Sequence, residues 1–353
     1  MSKDPIRLLI AASGTGGHLF PAIALAEQLP DYKIEWLGVP NRLETQLVPE
    51  QYPLHTINLE GFQQRFGLGT LGILLRLANS IRQVRQLLKQ NNFQGLVTTG
   101  GYIAAPAILA ARSLSLPVIL HEANALPGKV TRWLSPWCTN VAVGFAAAEN
   151  YLPRVPTVVT GTPVRSQFRT PQTLDLPIPE NVPLIVVAGG SQGAVAINQL
   201  VRQSAQSWFD AGAWIVHLTG ENDPDAQSLQ HPQYITLPFY KNMAGLFQRA
   251  NLAISRAGAA TLTELTVTQT PAILIPYPYA AEDHQIFNAK VLADAGAGIV
   301  FRQSELTPQL LESKVLHFLK SPLELAEMRS HAGSLAIPDS AERLANLVRK
   351  LVN

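Results

Sequence analysis

One short stretch decides how this chain is interpreted: Ser255-Arg256-Ala257-Gly258-Ala259-Ala260-Thr261-Leu262-Thr263-Glu264. An apolar run enters it and a helix-like run leaves it, which predicts a strand, a tight turn and a helix start. Gly258 and the small Ala259 and Ala260 leave the first N–H groups of the helix uncovered, and such donors favour an anion such as phosphate. Glu264 follows in the next turn, where a carboxylate can accept both hydroxyls of a ribose. A plain turn with a capping Thr261 and a solvated Glu264 explains the same residues, and this segment alone does not decide between them.

The composition is that of a well-packed globular protein. At 353 residues the chain is long enough for two domains, and 47% hydrophobic residues with 15% charged residues argue against disorder. The net charge of +2 is too small to indicate a nucleic-acid binder. Cys138 is the only cysteine, which excludes intrachain disulfides and a Cys-cluster metal site and suits a reducing cytoplasm.

The hydropathy pattern favours a protein without a secretory or membrane-spanning segment. Lys3, Asp4 and Arg7 precede a short strand pattern, without the apolar core or cleavage site of a signal peptide. No run of about 18 consecutive apolar residues occurs, and the run from Ala104 to Ala111 is too short to span a bilayer. We therefore expect any membrane contact to be peripheral.

Each half of the chain opens with a glycine-rich turn. A strand pattern at Ile6 to Ala11 leads into Ser13-Gly14-Thr15-Gly16-Gly17-His18, and one at Leu184 to Ala188 leads into Gly189-Gly190-Ser191-Gln192-Gly193-Ala194. Leu19 replaces the third glycine of the dinucleotide fingerprint, so the first turn matches a nicotinamide site only weakly. Strands that alternate with helices predict an α/β protein with parallel sheets and ligands at the carboxyl ends of the strands.

A proline-rich stretch without sustained periodicity predicts the linker between the halves; its prolines are Pro171, Pro177, Pro179 and Pro183. We predict two Rossmann-like domains that face each other across a cleft, residues 1–163 and residues 164–336. Apolar residues at helical spacing predict a C-terminal helix within 337–353 that packs back on the first domain; they are Leu344, Leu347, Val348 and Leu351.

The segment from Leu71 to Lys89 predicts a helix with two distinct faces. One apolar stripe is the expected core face and consists of Ile73, Leu74, Leu77, Ile81, Val84 and Leu88. Another face combines apolar and basic residues and includes Leu71, Leu75, Arg82, Arg85 and Lys89. Leucines beside clustered cations suit contact with an anionic membrane surface. A solvated basic face, with Leu71 and Leu75 buried under a neighbouring loop, is the competing interpretation.

Seven motifs together resemble one family in order along the chain. They are Gly14-Thr15-Gly16-Gly17-His18-x-x-Pro21, Gly100-Gly101-Tyr102, His121-Glu122-x-Asn124, Gly161-x-Pro163-Val164-Arg165, Gly189-Gly190-Ser191-Gln192-Gly193-Ala194, Arg256-x-Gly258-Ala259 with Glu264, and Asp283-His284-Gln285-x-x-Asn288-Ala289. The family is that of the MurG transferases, which move N-acetylglucosamine from UDP-N-acetylglucosamine to lipid I and form lipid II in peptidoglycan synthesis.

The resemblance implies a GT-B fold, with the acceptor and the membrane on the N-terminal domain and UDP-N-acetylglucosamine on the C-terminal domain. The donor contacts that it implies are Thr15, Gly16, Gly17, Asn124, Arg165, Ser191, Tyr240, Ala259, Ala260, Thr261, Leu262, Thr263, Glu264 and Gln285. Phe239 and Met243 match the uracil-side loop with Tyr240. The chain departs from the family pattern at Ala123, where glutamine is common, and at Thr162, where asparagine is usual.

The transfer needs a base for the acceptor hydroxyl and stabilisation of the departing diphosphate. His18 follows the first glycine turn, where a neutral imidazole can take a proton, and a structural histidine at a helix start is the alternative. His121 and Glu122 form the rival pair, in which Glu122 would orient His121, with support of their turn as the plainer interpretation. The triplet Asp223-Pro224-Asp225 is interpreted as a solvated loop, so we expect no metal and no other cofactor.

The resemblance implies an inverting hexosyltransferase with UDP-N-acetylglucosamine and undecaprenyl-linked lipid I as substrates. It places the enzyme peripherally on the cytoplasmic face of the bacterial plasma membrane, with an anionic lipid surface and a cell-wall synthesis complex as partners and a role in cell shape and division. A UDP-N-acetylglucosamine 2-epimerase of the same fold is one alternative. A catalytically silent scaffold that binds the nucleotide sugar is the other.

Overall fold

The computed structural model describes residues 5–58, 70–190 and 193–352, with residues 70–74 described by their backbone only. The chain divides into two compact units, residues 1–165 with 339–353 and residues 166–338. No helix in the described ranges is long and apolar enough to cross a bilayer.

The first unit is a seven-stranded parallel sheet with helices on both faces. Its strands are β1 (Arg7–Ala12), β2 (Lys33–Gly38), β3 (Leu54–Thr56), β4 (Gly95–Gly100), β5 (Val118–Glu122), β6 (Asn140–Val143) and β7 (Thr157–Val159). Their order in the sheet is β3-β2-β1-β4-β5-β6-β7. Its helices are α1 (Gly16–Glu27), α2 (Glu44–Leu47), α3 (Thr70–Gln90), α4 (Ala104–Ser113), α5 (Lys129–Leu134) and α12 (Ser340–Val352).

The second unit repeats this plan with six parallel strands. They are β8 (Leu184–Ala188), β9 (Trp214–Leu218), β10 (Tyr234–Leu237), β11 (Leu252–Ser255), β12 (Ala272–Leu274) and β13 (Gly298–Val300), in the order β10-β9-β8-β11-β12-β13. The helices are α6 (Val195–Asp210), α7 (Met243–Arg249), α8 (Ala259–Val267), α9 (His284–Asp294), α10 (Pro308–Lys320) and α11 (Pro322–Leu335). The predicted pair of Rossmann-like domains is confirmed.

Both sheets reverse their strand order at a point where a predicted glycine turn lies. The reversal falls between β1 and β4 in the first unit and between β8 and β11 in the second. In open parallel sheets, ligands bind beyond the carboxyl ends of the strands at such reversals, because the connecting loops there diverge to opposite faces. The loops after β1, β4, β8 and β11 are therefore the places to examine for a site.

Strand β1 shows how the sheet of the first unit fills two cores. Leu8 and Ile10 are fully buried against α1 and α12, whereas Leu9 and Ala11 are buried against the layer of α3 and α4. This two-sided burial follows from the alternation of side chains along a strand and explains the continuous apolar run. The rigid sheet then fixes where each strand end presents its loop.

Helix α12 completes the core of the first unit, although it follows the second unit in the chain. Leu344, Val348 and Val352 lie in one buried cluster with residues of α1 and β1. The helix approaches β4 so closely that a methyl group on Gly95 would lie 2.7 Å from Val352 Cγ1. Arg349 donates 2.6 Å to Asp31 and so fixes the outer edge of the helix.

We predict that Leu344→Ala lowers the free energy of unfolding by about 2–5 kcal/mol, because it leaves a cavity in a core that cannot fully collapse. Leu323→Ala is the matched control, since Leu323 on α11 is 81% exposed and its truncation should change stability by less than about 0.5 kcal/mol. Urea denaturation of both variants measures the difference. Equal loss in both would show that α12 does not complete the core.

Candidate active site

The loop after β1 carries the first glycine turn and leads directly into α1. Thr15 is the extended residue before the helix, and no side chain caps the helix start. Thr15 and Gly17 are exposed. Gly14 adopts a φ of 102°, a conformation that glycine reaches without strain. The turn therefore exposes backbone N–H groups at the positive end of a helix of 12 residues.

The ring of His18 is fixed by the neighbouring strand β4. Its Nδ1 lies 2.8 Å from the carbonyl oxygen of Thr99, while the Thr99 hydroxyl donates 2.7 Å to the carbonyl oxygen of His18. A carbonyl oxygen only accepts, so Nδ1 must carry a hydrogen. In the neutral ring Nε2 then holds the lone pair, and within the described residues it has no hydrogen-bond partner. The half-buried ring is thus arranged to accept a proton at Nε2.

Two glycines at the end of β4 allow this approach. Gly100 and Gly101 have φ values of 109° and 85°. A methyl group on Gly100 would lie 2.9 Å from His18 Nδ1, and one on Gly101 would collide with the backbone carbonyl of Ser13. Side chains at these positions would push the β1 turn away from β4, so the motif Gly100-Gly101 serves to seat His18.

A buried carboxylate that the sequence analysis missed holds the first glycine turn. Glu44 is fully buried, and its two carboxylate oxygens accept from the N–H of Val39 at 2.9 Å and from the N–H of Gly14 at 3.2 Å. Glu44 lies in a helix of four residues, which is too short to give a periodic signal. Only the folded structure shows that this residue positions the turn of His18.

His121 lies in β5, beside β4, and is 1% exposed. Its Nε2 lies 3.1 Å from the carbonyl oxygen of Gly161, so Nε2 carries a hydrogen, and Nδ1 is buried without a partner among the described residues. Burial lowers the pKa of His121 to about 4, with the Gly161 carbonyl and the Glu122 charge opposing that shift. His121 is therefore a neutral ring near pH 7 and a weak base, because a general base works best with a pKa near the working pH.

Glu122 organises the turn after β5 and has no hydrogen bond to His121 in the described structure. One carboxylate oxygen accepts from the backbone N–H and the side-chain amide of Asn124, both at 3.0 Å. The other accepts from the N–H of Gly128 at 3.2 Å and from the Thr131 hydroxyl at 2.6 Å. The carboxylate thus supports the turn and presents Asn124, which agrees with the plainer of the two interpretations.

Arg165 ends the first unit and lies against the first glycine turn through one aromatic ring. The guanidinium lies 4.3 Å from the centroid of the Phe20 ring, a cation–π distance. The Phe20 ring in turn occupies the space beside Gly16, where a methyl group would lie 2.8 Å from it. Gly16, Phe20 and Arg165 form one continuous contact, so the structure brings two of the predicted donor residues together.

In the second unit, the stretch that opened the sequence analysis folds as expected. Strand β11 ends at Ser255 and α8 begins at Ala259, with Gly258 in an extended conformation and no capping side chain. Thr261 does not cap the helix, so this part of the plain-turn interpretation is wrong, whereas the binding role of the turn stays a prediction. Nothing lies within 4 Å of a methyl group on Gly258, whose φ is −67°, so the protein itself leaves this position open.

The side chains of α8 differ in what they offer. Leu262 is fully buried in the core, and the Thr263 hydroxyl donates 3.0 Å to the carbonyl oxygen of Ala259. Any contact of Leu262 or Thr263 with a sugar-nucleotide donor would therefore be made by their backbone groups. Ala260, Thr261 and Glu264 are half-buried at the helix start and remain accessible from outside.

Gln285 joins three loops beside this helix start. Its side-chain oxygen accepts from the N–H of Ala257 at 3.1 Å and from the N–H of Tyr277 at 2.9 Å. The amide nitrogen makes no hydrogen bond to the described residues. Glu282 and Asp283, just before it, both adopt left-handed φ values of 52° and 55°, a strain that proteins concentrate at functional sites.

One further predicted donor residue, Tyr240, lies elsewhere in the second unit. The Tyr240 hydroxyl donates to the carboxylate of Asp175, and burial together with this acceptor raises the pKa of Tyr240 to about 12. The neighbouring Phe239 is 57% exposed, as a ring that stacks on a base would need to be. Ser191 lies outside the residues that the structure describes.

The triplet Asp223-Pro224-Asp225 is not a wholly solvated loop, and that expectation is wrong for Asp223. Its buried carboxylate pairs with Arg202 at 2.7 Å and accepts from the Asn198 amide at 2.7 Å. Burial alone would raise the pKa of Asp223, but these donors and the charge of Arg202 bring it below its usual value. The described residues contain no group of three or more His, Cys, Asp or Glu that could hold a metal, and the absence of a metal stays a prediction.

Helix α3 presents the two faces that its sequence predicts. Val84 and Leu88 are buried, while Arg82, Arg85 and Lys89 are exposed. Leu75 is 64% exposed, so the interpretation that buries it under a loop is wrong. The side chains of Leu71, Ile73 and Leu74 lie outside the described part of the chain.

The two departures from the family pattern are neighbours in space. A methyl group on Gly144 would collide with the Thr162 hydroxyl oxygen and would lie 2.8 Å from the carbonyl oxygen of Ala123. Thr162 is 1% exposed, and its hydroxyl has no partner among the described residues. Residues 123, 144 and 162 therefore pack as one group.

Comparison with family models matches both units. Residues 8–143 match the N-terminal domain of glycosyltransferase family 28, and residues 184–344 match the C-terminal domain of the same family. The two matches cover most of the chain and share its order.

Individual proteins resemble the chain along its whole length. One from Nostoc sp. is 68% identical, over 100% of this chain and 99% of that protein, and is named UDP-N-acetylglucosamine–N-acetylmuramyl-(pentapeptide) pyrophosphoryl-undecaprenol N-acetylglucosamine transferase. The crystal structure of Acinetobacter baumannii MurG is 30% identical and superposes with a TM-score of 0.79, over 98% of this chain and 100% of that one. A putative UDP-N-acetylglucosamine 2-epimerase from Listeria monocytogenes has a TM-score of 0.71 over 98% of this chain and 96% of that one, but its 13% identity shows only a shared fold.

We predict that His121 lowers the free energy of unfolding by about 2 kcal/mol when the pH is reduced from 7 to 5. The pKa of this residue is about 4 in the folded chain and close to 6.5 when it unfolds, so the unfolded chain binds more protons in this window. The contribution of the neutral His121 ring to stability is fully present above pH 6.5 and is lost as the pH falls towards 4. Urea denaturation at both pH values measures it.

His121→Asn should reduce this pH dependence by about 2 kcal/mol, whereas His331→Asn, which changes an exposed histidine, should leave it as in the wild type. A variant His121→Asn with the full wild-type pH dependence would contradict the assignment.

Proposed function

The chain belongs to glycosyltransferase family 28 and, within it, to the MurG transferases, and we propose on this basis that it transfers N-acetylglucosamine from UDP-N-acetylglucosamine to the undecaprenyl-diphosphate-linked muramyl-pentapeptide known as lipid I. The product is lipid II, so the chain is a hexosyltransferase of peptidoglycan synthesis. The observation that carries the proposal is the full-length identity of 68% to a protein named for this reaction.

The alternatives named from the sequence have less support. The epimerase shares the fold at 13% identity, and a shared fold carries no information about the reaction that this chain catalyses. A silent scaffold would not need the proton-accepting arrangement of His18 at the strand reversal. Release of free UDP during transfer distinguishes a transferase from both.

The donor is proposed to bind through the second unit. The uncapped start of α8, at Ala259, Ala260 and Thr261, offers N–H groups and the positive end of its dipole to the diphosphate. Glu264 accepts the ribose hydroxyls, and the free amide nitrogen of Gln285 donates to the sugar side. The further donor contacts proposed from the family motifs are Thr15, Gly16, Gly17, Asn124, Arg165, Ser191, Tyr240, Leu262 and Thr263.

His18 is proposed as the general base. As the muramyl 4-hydroxyl attacks the anomeric carbon, its proton moves to Nε2 and the bond from that carbon to the diphosphate oxygen breaks. Attack from the opposite side inverts the configuration and gives a β linkage. His121 and Glu122 are proposed to support the acceptor-side turn, because the first is a weak buried base and the second is fully engaged in hydrogen bonds.

The departing UDP carries the negative charge that the site must stabilise. We propose that Arg165 and the helix N–H donors do so without a metal. Arg165 is held by Phe20, and a guanidinium held in place donates to phosphate oxygens with less loss of side-chain entropy than a mobile one.

The acceptor and the membrane are proposed to contact the first unit. The described helices include no membrane span, so the contact would be peripheral and on the cytoplasmic face, where UDP-sugars are made available. Leu71 and Leu75 would lie against the bilayer, with Arg82, Arg85 and Lys89 against anionic headgroups. A cell-wall synthesis complex is the proposed protein partner.

We predict that Glu264→Ala raises the Kd for UDP by a factor that corresponds to about 2–4 kcal/mol, because two hydrogen bonds to a charged acceptor are lost. Isothermal titration calorimetry measures it. Glu264→Gln, which keeps one acceptor oxygen but not the charge, should lie between the wild type and the alanine variant. Unchanged UDP affinity in Glu264→Ala would remove this residue from the site.

We predict that His18→Asn lowers kcat by about 10² to 10⁴ and leaves the Kd for UDP within a few fold. Asparagine separates the two ring nitrogens, because its side-chain amide can donate to the Thr99 carbonyl oxygen as Nδ1 does but has no counterpart of Nε2. The acidic limb of the pH–rate profile should disappear in the variant. A variant that keeps its kcat and loses UDP affinity would make His18 a diphosphate ligand and return attention to His121 and Glu122.

A further inference from the structure

Two tryptophans stand out from the surface of the first unit. Trp133 in α5 is 75% exposed, and Trp137, in the 3₁₀ turn that follows, is 51% exposed. Val130 on the same short helix is 48% exposed. By contrast, Trp36 and Trp208 are fully buried. Two exposed tryptophans four residues apart, with an exposed valine beside them in the chain, are the kind of apolar residues that mark an interaction surface when they cluster.

This surface lies in the same helical layer as the basic face of α3. Helix α4 contacts α3, and it also contacts α5 and the 3₁₀ turn Ser135–Trp137. Leu134 and Cys138 are packed against the buried cluster that contains Val84 and Leu88 of α3. Arg85 donates 3.0 Å to Ser113 at the end of α4 and ties the outer edge of the layer together.

The charge of this layer has one sign. The sequences of α3, α4 and α5 contain seven lysines or arginines and no aspartate or glutamate. The other 20 basic and 25 acidic residues leave the rest of the chain net negative. On α5 itself, Lys129 and Arg132 lie in the turn that precedes Trp133. An apolar patch within a purely cationic layer complements an anionic lipid surface, where tryptophan settles at the headgroup level.

We propose that α5 and the turn Ser135–Trp137 form a second membrane-contact element. Val130, Trp133 and Trp137 enter the headgroup region of an anionic bilayer, and Lys129 and Arg132 contact lipid phosphates. The occupant is the bilayer surface itself. The inference rests on the proposed function only in that a lipid-linked acceptor resides in such a bilayer.

The element is joined to the candidate site by one carboxylate. Glu122 accepts from Gly128 and Thr131, at the start of α5, and from Asn124 on the turn beyond β5. A bilayer that binds α5 therefore contacts a helix whose first residues are hydrogen-bonded to Glu122, the residue that also binds Asn124. Docking through α5 fixes the height of that turn above the lipid headgroups.

Co-sedimentation of the full chain with vesicles tests the element. In vesicles of phosphatidylglycerol and phosphatidylcholine, Trp133→Ser/Trp137→Ser should reduce the partition coefficient at least tenfold, and raising the salt concentration should weaken wild-type binding. Leu323→Ser is the matched control, because it changes a side chain that is 81% exposed in the second unit. Leu71→Ser/Leu75→Ser reports separately on α3. Equal binding by the wild type and the double tryptophan variant would overturn the proposal.

Tryptophan fluorescence supplies a readout that does not depend on affinity. Brominated lipids should quench part of the wild-type emission on binding, and Trp133→Phe/Trp137→Phe should abolish this quenching while it keeps an aromatic ring at each position. Emission that lipid leaves unchanged would contradict insertion. If the serine variant instead altered only the sedimentation coefficient in solution, the surface would be a contact with a second copy, and the proposal would be wrong.

Turnover separates this inference from the proposed function. With a water-soluble acceptor analogue, Trp133→Ser/Trp137→Ser should keep the wild-type kcat, whereas with the acceptor embedded in vesicles its rate should fall in parallel with binding. A wild-type chain that turned over neither acceptor would contradict the proposed reaction and leave the vesicle result standing. Loss of turnover with the soluble analogue would assign the tryptophans to the site and overturn the membrane role.

Discussion

The reciprocal hydrogen bonds between His18 and Thr99 join the loop after β1 to the end of β4, and much of the first unit is arranged so that they can form. They require the two backbones to approach at the strand reversal, which Gly100 and Gly101 permit because a side chain at either would strike His18 or Ser13. They also fix the tautomer of the ring. A histidine whose Nδ1–H is held by a carbonyl oxygen presents Nε2 without any rearrangement during the reaction.

Buried carboxylates hold the turns of this protein, and each is satisfied by donors close to it. Glu44 accepts hydrogen bonds from the backbone N–H groups of Gly14 and Val39. Glu122 accepts four hydrogen bonds around the Asn124 turn, and Asp223 pairs with Arg202 and Asn198. A buried charge without such partners would cost several kcal/mol, so each carboxylate constrains the loop that supplies its donors. Glu44 therefore constrains the first glycine turn, and Glu122 constrains the turn that carries Asn124.

The sequence predicts the parts of this fold that depend on local pattern. Alternating apolar strands and helices, and a glycine turn after β1 and β8, are enough to predict two Rossmann-like domains, and they place His18 and the start of α8 at strand ends. Glu44 and the buried state of Asp223 could not be predicted, because both depend on contacts between residues distant in the chain. The same is true of the group at 123, 144 and 162, where the substitutions become intelligible only once the three positions are seen to touch.

The position of α12 has a consequence for the synthesis of the protein on the ribosome. The face of α1 and β1 that α12 covers stays open until residues 340–352 have been synthesised, after the whole of the second unit. At about 5–20 residues per second, the intervening residues 166–338 take roughly nine to thirty-five seconds to make. During that interval α1 and β1 lack the helix that covers their apolar face in the complete chain. The chain thus completes its N-terminal half last.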